Sequence, residues 1–469
     1  MLTASRRSNK SPKPYRYCVL GDGVISPGSA SLQERDMRWL AALLLVVPVI
    51  GLSIPIEPVT AQDHAPRHRV VKPRSLAAHC RKPSFAKANP KSCAKFAGEK
   101  PKPEATPQEA KPAEQPSRPD FTADDQATAV IPGIPDARFW SDSERDFLAV
   151  LPATPGPWLC LSTGGGDGAF GAGLLNGWSE SGKRPEFSVV AGVSTGALMA
   201  PYAFLGPSQD AGLKRAYTEY NAGDIFEDVK TPESLVDTWP LKRLIAKEVT
   251  PELLAQIAEQ YKRGRRLLVQ TTNLDAQRGV IWNMGAIAAK GDEASLKLFR
   301  DVLLASTAIP GLFPPVMIDV EVNGKKTQEM HADGGLSAQL FVAPESMLNT
   351  NARTKIPASE LYLIANNRLT PEFQMTERSL IFVLGHSIAV GVQSMLRMNI
   401  DRAYGAAKRD GIPFYLSYPA LGTEQQGKGT FDTEFMKGLF ENGVARGKTG
   451  DPFVREIGEA LRGSLAAGK

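Results

Sequence analysis

The stretch FSVVAGVSTGALMAPYAF, residues 187–204, constrains this chain more than any other. An apolar run ends in Gly192-Val193-Ser194-Thr195-Gly196 and passes at once into small and apolar residues at helical spacing. A strand that becomes a helix without a loop must bend sharply at the serine. Glycines two residues to either side let strand and helix approach without side-chain clash. This is GxSxG in the setting of a nucleophile elbow, and the helix N-terminus behind Ser194 favours developing negative charge.

The rest of the chain from residue 131 supports such a fold. Strand-like runs are predicted at 158–161, 187–193, 267–271, 280–283, 361–365 and 413–418. Helical patterns fall between them at 172–179, 195–205, 293–307 and 379–398. Alternation of this kind predicts an α/β domain, residues 131–465, with a mostly parallel central sheet covered on both faces. Asn323 and Gly324 form a two-residue turn signal for one hairpin within it. With 42% hydrophobic residues in 469, the chain has enough apolar surface for a sizeable core.

The N-terminal part reads differently. Residues 37–61, MRWLAALLLVVPVIGLSIPIEPVTA, have the basic start, apolar run and small-residue end of a secretory signal peptide. The uncharged run at 39–56 also approaches the length of a membrane anchor, although Pro48 and Pro55 weaken a spanning helix. Residues 1–36 are then an over-long start or a short tail, and the remainder is expected to be exported, to the periplasm or beyond. Residues 62–130 form a linker rich in Pro, Ala and Lys. From 62 to 119 it holds ten prolines and 13 Lys+Arg against 5 Asp+Glu, so the net charge of +5 belongs to this segment. The folded part is slightly acidic, which disfavours nucleic acid as a partner. The basic linker is a solvated spacer or a peripheral contact to an anionic membrane surface. Cys80 and Cys93 lie within it, where they can pair after export; Cys160 sits in an apolar run as a buried thiol. No metal-ligand spacing occurs among the four cysteines, and no metal or organic cofactor is expected.

A serine nucleophile needs a base. Of the five histidines only His331 and His386 fall in the predicted domain. His386 is late in the chain, as the histidine of an α/β-hydrolase triad would be, but it lies inside a continuous helical pattern. His331 stands near the hairpin's end, where it is placed to support the site. A carboxylate can serve instead if burial raises its pKa toward the working pH. Asp333 ends a strand-like run and precedes Gly334-Gly335, which let the backbone turn and aim it inward.

Four blocks in order make residues 158–447 resemble the patatin-like phospholipase family. They are GGGDGAFGAGLL from Gly164, the elbow GVSTG, ASTAIPGLFPPV from Ala305, and HADGG ending at Gly335. The resemblance implies a three-layer α/β/α fold, Ser194 as nucleophile and Asp333 as base. It places the oxyanion hole on the backbone amides of Gly164, Gly165 and Gly166. Membrane phospholipid or another acyl lipid is the implied substrate, cleaved by phospholipase A or lysophospholipase activity. This chain departs from the family in the Gly-rich loop, where Thr163 replaces the first glycine and Asp167 the usual basic residue. An acidic side chain facing a developing oxyanion would oppose it. Three alternatives stay open: a catalytically weak lipid-binding protein, an esterase using His386, and a nucleotide-binding protein. The last rests on the GxGxxG of Gly166, Gly168 and Gly171, but no acidic residue ends the second strand to hold a ribose.

Overall fold

Runs that are apolar at every position become strands buried on both faces, as a sheet covered by helices on each side requires. Strands β1 (Arg138–Trp140), β2 (Pro157–Leu161), β3 (Val189–Val193), β4 (Arg266–Asn273), β5 (Arg278–Asn283), β6 (Val316–Val322), β7 (Lys325–Asp333), β8 (Glu360–Ile364) and β9 (Phe414–Ser417) form one sheet. The computed structural model describes residues 118, 120–371, 373, 375–419 and 431–458. The expected signal peptide or anchor at 37–61, most of the linker, Cys80 and Cys93 lie outside the described residues.

Along the sheet the order is β1-β5-β4-β3-β2-β8-β9, with β7 pairing both β4 and β6. The five strands β4, β3, β2, β8 and β9 run parallel and form its centre. The strands β1, β5, β6 and β7 add antiparallel pairs at one side. The sheet is therefore mixed around a parallel centre.

Strand alternation sorts the core into two layers. On one face Leu159, Leu161, Val190, Leu267 and Val269 pack against helices α3 (Gly168–Glu180), α4 (Thr195–Leu205), α8 (Pro251–Lys262) and α10 (Glu293–Ser306), and against α13 (Thr433–Gly447). In chain order α1 is Ala123–Thr128, α2 Glu144–Val150, α5 Asp210–Thr218, α6 Ala222–Ile225, α7 Trp239–Glu248, α9 Met284–Lys290 and α11 Glu345–Leu348. On the other face Trp158, Cys160, Val189, Ala191 and Leu268 pack against Phe147 of α2 and the second half of α12 (Leu380–Asp410). Three layers result, helix on sheet on helix. The Cys160 thiol lies in the second core and burial pushes its pKa up.

Several elements differ in extent from the sequence expectation. The linker's last residues belong to the folded part: Thr122 and Asp125 form a capping box for α1, Phe121 packs against the core, and Val130 bridges to Glu321. Proline density hid this, because it ends at Pro119 and a single helical turn leaves little periodicity. Helix α3 starts at Gly168, four residues before the predicted 172, because glycines read as loop though here they serve close packing. Helix α12 runs on past 398 to Asp410, where Gly411 at φ 75° ends it in the left-handed conformation.

The packing of α3 on α13 is the tightest of these contacts. A Cβ built on Gly173 would lie 1.9 Å from the Phe440 carbonyl oxygen, and one on Gly443 2.2 Å from that of Phe170. The two backbones touch through the glycines, which leaves no room for a methyl group. Gly173→Ala is expected to lower stability by about 2 kcal/mol or more. Gly438→Ala, on the same helix α13 with open space at its Cβ, is expected to be neutral or stabilising. Urea unfolding of the two variants checks the contrast.

Candidate active site

Strand β4 brings the two expected catalytic residues together. Its first part, to Gln270, pairs with β3, whose last residue Val193 lies opposite Gln270. Its next residue, Thr271, lies opposite Asp333, the last residue of β7. Because β7 runs against β3 along the same side of β4, the two strands meet end to end. Ser194 and Asp333 therefore leave their strands at the same point, 139 residues apart in sequence. The Ser194 hydroxyl donates to Asp333 Oδ2 at 2.7 Å.

The backbone at Ser194 has φ 56° and ψ −122°, a region that L-residues avoid at about 1–3 kcal/mol. Three bonds hold it there. Its N–H donates to Ser306 Oγ at 2.9 Å, and its carbonyl accepts from Ala197 and Leu198 in the first turn of α4. Close approach does the rest: a Cβ on Gly192 would lie 2.3 Å from the Gly196 carbonyl oxygen, and one on Gly196 2.4 Å from that of Leu161. Both glycines of GxSxG are required by space.

Asp333 is as tightly held. Oδ1 accepts the Gly335 N–H at 2.7 Å, its own N–H donates to the Ala308 carbonyl at 2.9 Å, and its carbonyl accepts from Thr272 Oγ1. The Gly334 carbonyl accepts from Gln270 Nε2 at 2.8 Å. Burial raises the Asp333 carboxyl to about 7, against the lowering effect of the Gly335 N–H and the Ser194 hydroxyl. A carboxylate so placed exchanges its proton near neutral pH, as a general base must.

The Gly-rich loop lies beside the elbow. Gly164 approaches Thr195, and a Cβ on Gly168 would fall 2.3 Å from Thr195 Oγ1. The turn Gly165–Asp167 has its first hydrogen bonds donated by Asp167, to the Gly164 carbonyl, and by Gly168. The N–H groups of Gly165 and Gly166 precede that ladder, and helix starts leave such donors for a ligand.

The two departures in this loop have structural partners. The buried Thr163 hydroxyl donates to Gln339 Oε1, and Gln339 Nε2 donates to the Gly335 carbonyl at 2.7 Å. Thr163 thus ties the loop to the Asp333 turn. Asp167 is half-buried, and burial raises its carboxyl to about 6 while the nearby Arg368 guanidinium pulls it down.

Neither histidine contacts the serine. His331 is fully buried, with Nε2 bonded to Glu329 at 3.0 Å and Nδ1 to Thr271 Oγ1 at 2.9 Å. Burial lowers its pKa, so the neutral ring donates from Nε2 and accepts at Nδ1. Burial would raise the Glu329 carboxyl, but its bonds to Arg138 and His331 outweigh that and hold it at about 2. Gln126 of α1 also donates to Glu329, so this network fastens the N-terminal segment to the strand that carries Asp333. His386 lies on α12 with Nδ1 bonded to Thr376 Oγ1, leaving the α/β-hydrolase triad without its histidine.

Sequence reasoning missed Ser306. Its hydroxyl accepts from the Ser194 N–H and donates to the Gln270 carbonyl at 2.8 Å, while Ala308 two residues on accepts from Asp333. One turn at the end of α10 therefore holds both members of the pair. Its only sequence signal was its place in the block ASTAIPGLFPPV.

Residues 159–344 match the family model described as patatin-like phospholipase. Among solved structures, VipD from Legionella pneumophila is similar at 13% identity, over 64% of this chain and 67% of that one, with a TM-score of 0.32. That superposition is too loose to add to the family match. No curated relative matches the chain.

Ser306→Ala removes the acceptor that holds the strained Ser194 backbone. It is expected to lower kcat about 10- to 100-fold on a soluble ester with KM within about twofold, because positioning and not binding is lost. Steady-state kinetics with the circular dichroism spectrum as a folding control check it.

Proposed function

Residues 159–344 form a patatin-like phospholipase domain, and from that premise we propose that the protein cleaves fatty acyl esters of lipids through the pair Ser194 and Asp333. The observation that carries the reading is the 2.7 Å bond from the Ser194 hydroxyl to the Asp333 carboxylate, whose burial raises its pKa to about 7. Asp333 takes the hydroxyl proton as Ser194 Oγ bonds to the acyl carbonyl carbon. The oxyanion is met by N–H groups of the Gly164–Gly166 loop and by that of Thr195, the residue after the nucleophile. The alcohol leaves with a proton from Asp333, which then activates water to release the fatty acid. Phospholipids and lysophospholipids are the proposed substrates, and every step uses groups of this chain.

Asp167 bears on rate. Above pH 6 it carries a negative charge near the loop, and the Arg368 guanidinium offsets part of it. The guanidinium thereby lessens the opposition that an acidic side chain offers a developing oxyanion.

Ser194→Ala and Asp333→Asn are each expected to cut kcat/KM by about 10³-fold or more on phospholipid and on p-nitrophenyl esters. The wild-type rate should rise with pH through about 7 and level off above it, since the base is the ionised form of a carboxyl raised to about 7. Wild-type turnover by the Ser194→Ala protein, or a rate that falls as pH rises from 6 to 8, contradicts the reading.

A further inference from the structure

Among the described residues the first half of α12 gives no side chain to either core; Gln393 donates to the Thr370 carbonyl and His386 bonds Thr376 Oγ1, both in the segment that leads into the helix. Strands β8 and β9 are parallel neighbours, so the chain between them must return across the sheet, and α12 does so. A strand of five residues spans about 17 Å, whereas the 31 residues of α12 span about 46 Å. The side chains that α12 gives to the core are Leu396, Ile400, Ala403, Ala406 and Ala407, a length of about 17 Å. The sixteen residues before them overhang the sheet by roughly 24 Å.

The overhang is on the catalytic side. Helix α12 starts after β8 ends, and β8 points the same way as β2 and β3, so its first half stands at the edge where Ser194 leaves β3. The packed half of the same helix reaches the site's frame: Asn399 Oδ1 accepts the Gln339 N–H at 2.9 Å, and Gln339 is bonded to Thr163 and Gly335.

One side of this overhang is exposed, uncharged and largely apolar. Val390 is 63% exposed, Met398 56% and Val383 48%, and the segment before the helix adds Phe373 at 92% and Met375 at 81%. No Asp, Glu, Lys or Arg occurs from 379 to 396, while Arg378 and Arg397 flank the run. Its apolar residues do not keep to one stripe. Val383 and Val390 share the exposed face with Ser387 and Ser394, Ile388 lies about 140° round from Val383, and Phe382, Leu384, Val392 and Met395 are half-buried. An uncharged exposed face that stands at the catalytic edge between two arginines suits the interface of an anionic bilayer. No described helix is long and apolar enough to cross a membrane.

We propose that the first half of α12, with Phe373 and Met375 before it, is the surface by which the domain docks on a lipid bilayer, lying in the interface with Arg378 and Arg397 at its ends. It brings the catalytic edge to the bilayer, and this rests on the reading of the site as a lipid acyl hydrolase. Lipid then enters from the bilayer beside the Gly-rich loop without first crossing water.

The test uses the full chain with Cys18, Cys80 and Cys93 replaced by Ser and an environment-sensitive fluorophore on Val390→Cys. A label on Lys262→Cys, at the end of α8 before β4 begins, reports the opposite edge. Mixed phosphatidylcholine and phosphatidylglycerol vesicles should shift the emission at 390 to the blue and leave that at 262 unchanged. In parallel, Val390→Glu should lower hydrolysis of vesicular phospholipid about tenfold or more and leave that of p-nitrophenyl butyrate unchanged. A label at 390 that stays in water, or undiminished vesicle hydrolysis by Val390→Glu, overturns the proposal. So does a stable dimer that Val390→Glu dissociates with no loss of vesicle hydrolysis, which would make a second copy the occupant. Wild-type activity separates the two readings: a blue shift at 390 in a protein that hydrolyses no ester leaves the surface standing and removes the hydrolase, and Ser194→Ala labelled at 390 is expected to shift as the wild type does.

Discussion

The bond between Ser194 and Asp333 is the interaction on which the rest of this structure depends, because neither residue would stay where it is without the frame around it. One has a backbone conformation that an L-residue avoids, the other a carboxyl group deprived of water. Each is costly alone. Together they form a 2.7 Å hydrogen bond whose donor, in the proposed mechanism, is the hydroxyl that attacks and whose acceptor is the group that takes its proton.

Strand β4 solves the geometric problem. By pairing β3 as far as Gln270 and β7 from Thr271, it sets two distant strand ends in register, and register in a buried sheet is strongly specified. Ser306 and Ala308 then fix the two backbones from the end of α10, and Gln339 joins the Gly-rich loop to the Asp333 turn. Thr163 takes part in this linkage as a hydrogen-bonding residue, which gives its departure from the family's glycine a physical place.

Much of this was legible in the sequence for identifiable reasons. Buried parallel strands read as continuous apolar runs, so β2, β3 and β4 stood out, and the spatial demand on Gly192 and Gly196 made the elbow visible. The exact span of α4 was legible because Ser194 and Gly206 bound it. What escaped was short or ambiguous. Three residues of β1 carry no pattern, α1 lies beside proline-rich sequence, and a serine at a helix end gives no sign that its hydroxyl holds another residue's N–H. The role of Asp333 rested on resemblance, since its partner Thr271 can be found only once the sheet is assembled. The apolar run of α12 read as an ordinary helix, because sequence shows that a face is apolar but not whether anything covers it.

The central claim is that Ser194 is an activated nucleophile and that Asp333 activates it. Labelling by a fluorophosphonate probe tests this before any lipid is chosen, because the probe reports only a serine able to attack. The account predicts that the wild-type protein is labelled, faster above pH 7 than below it, that Ser194→Ala is not labelled, and that Asp333→Asn is labelled far more slowly. Labelling that persists in Ser194→Ala, or a folded wild type that takes no label, would contradict it.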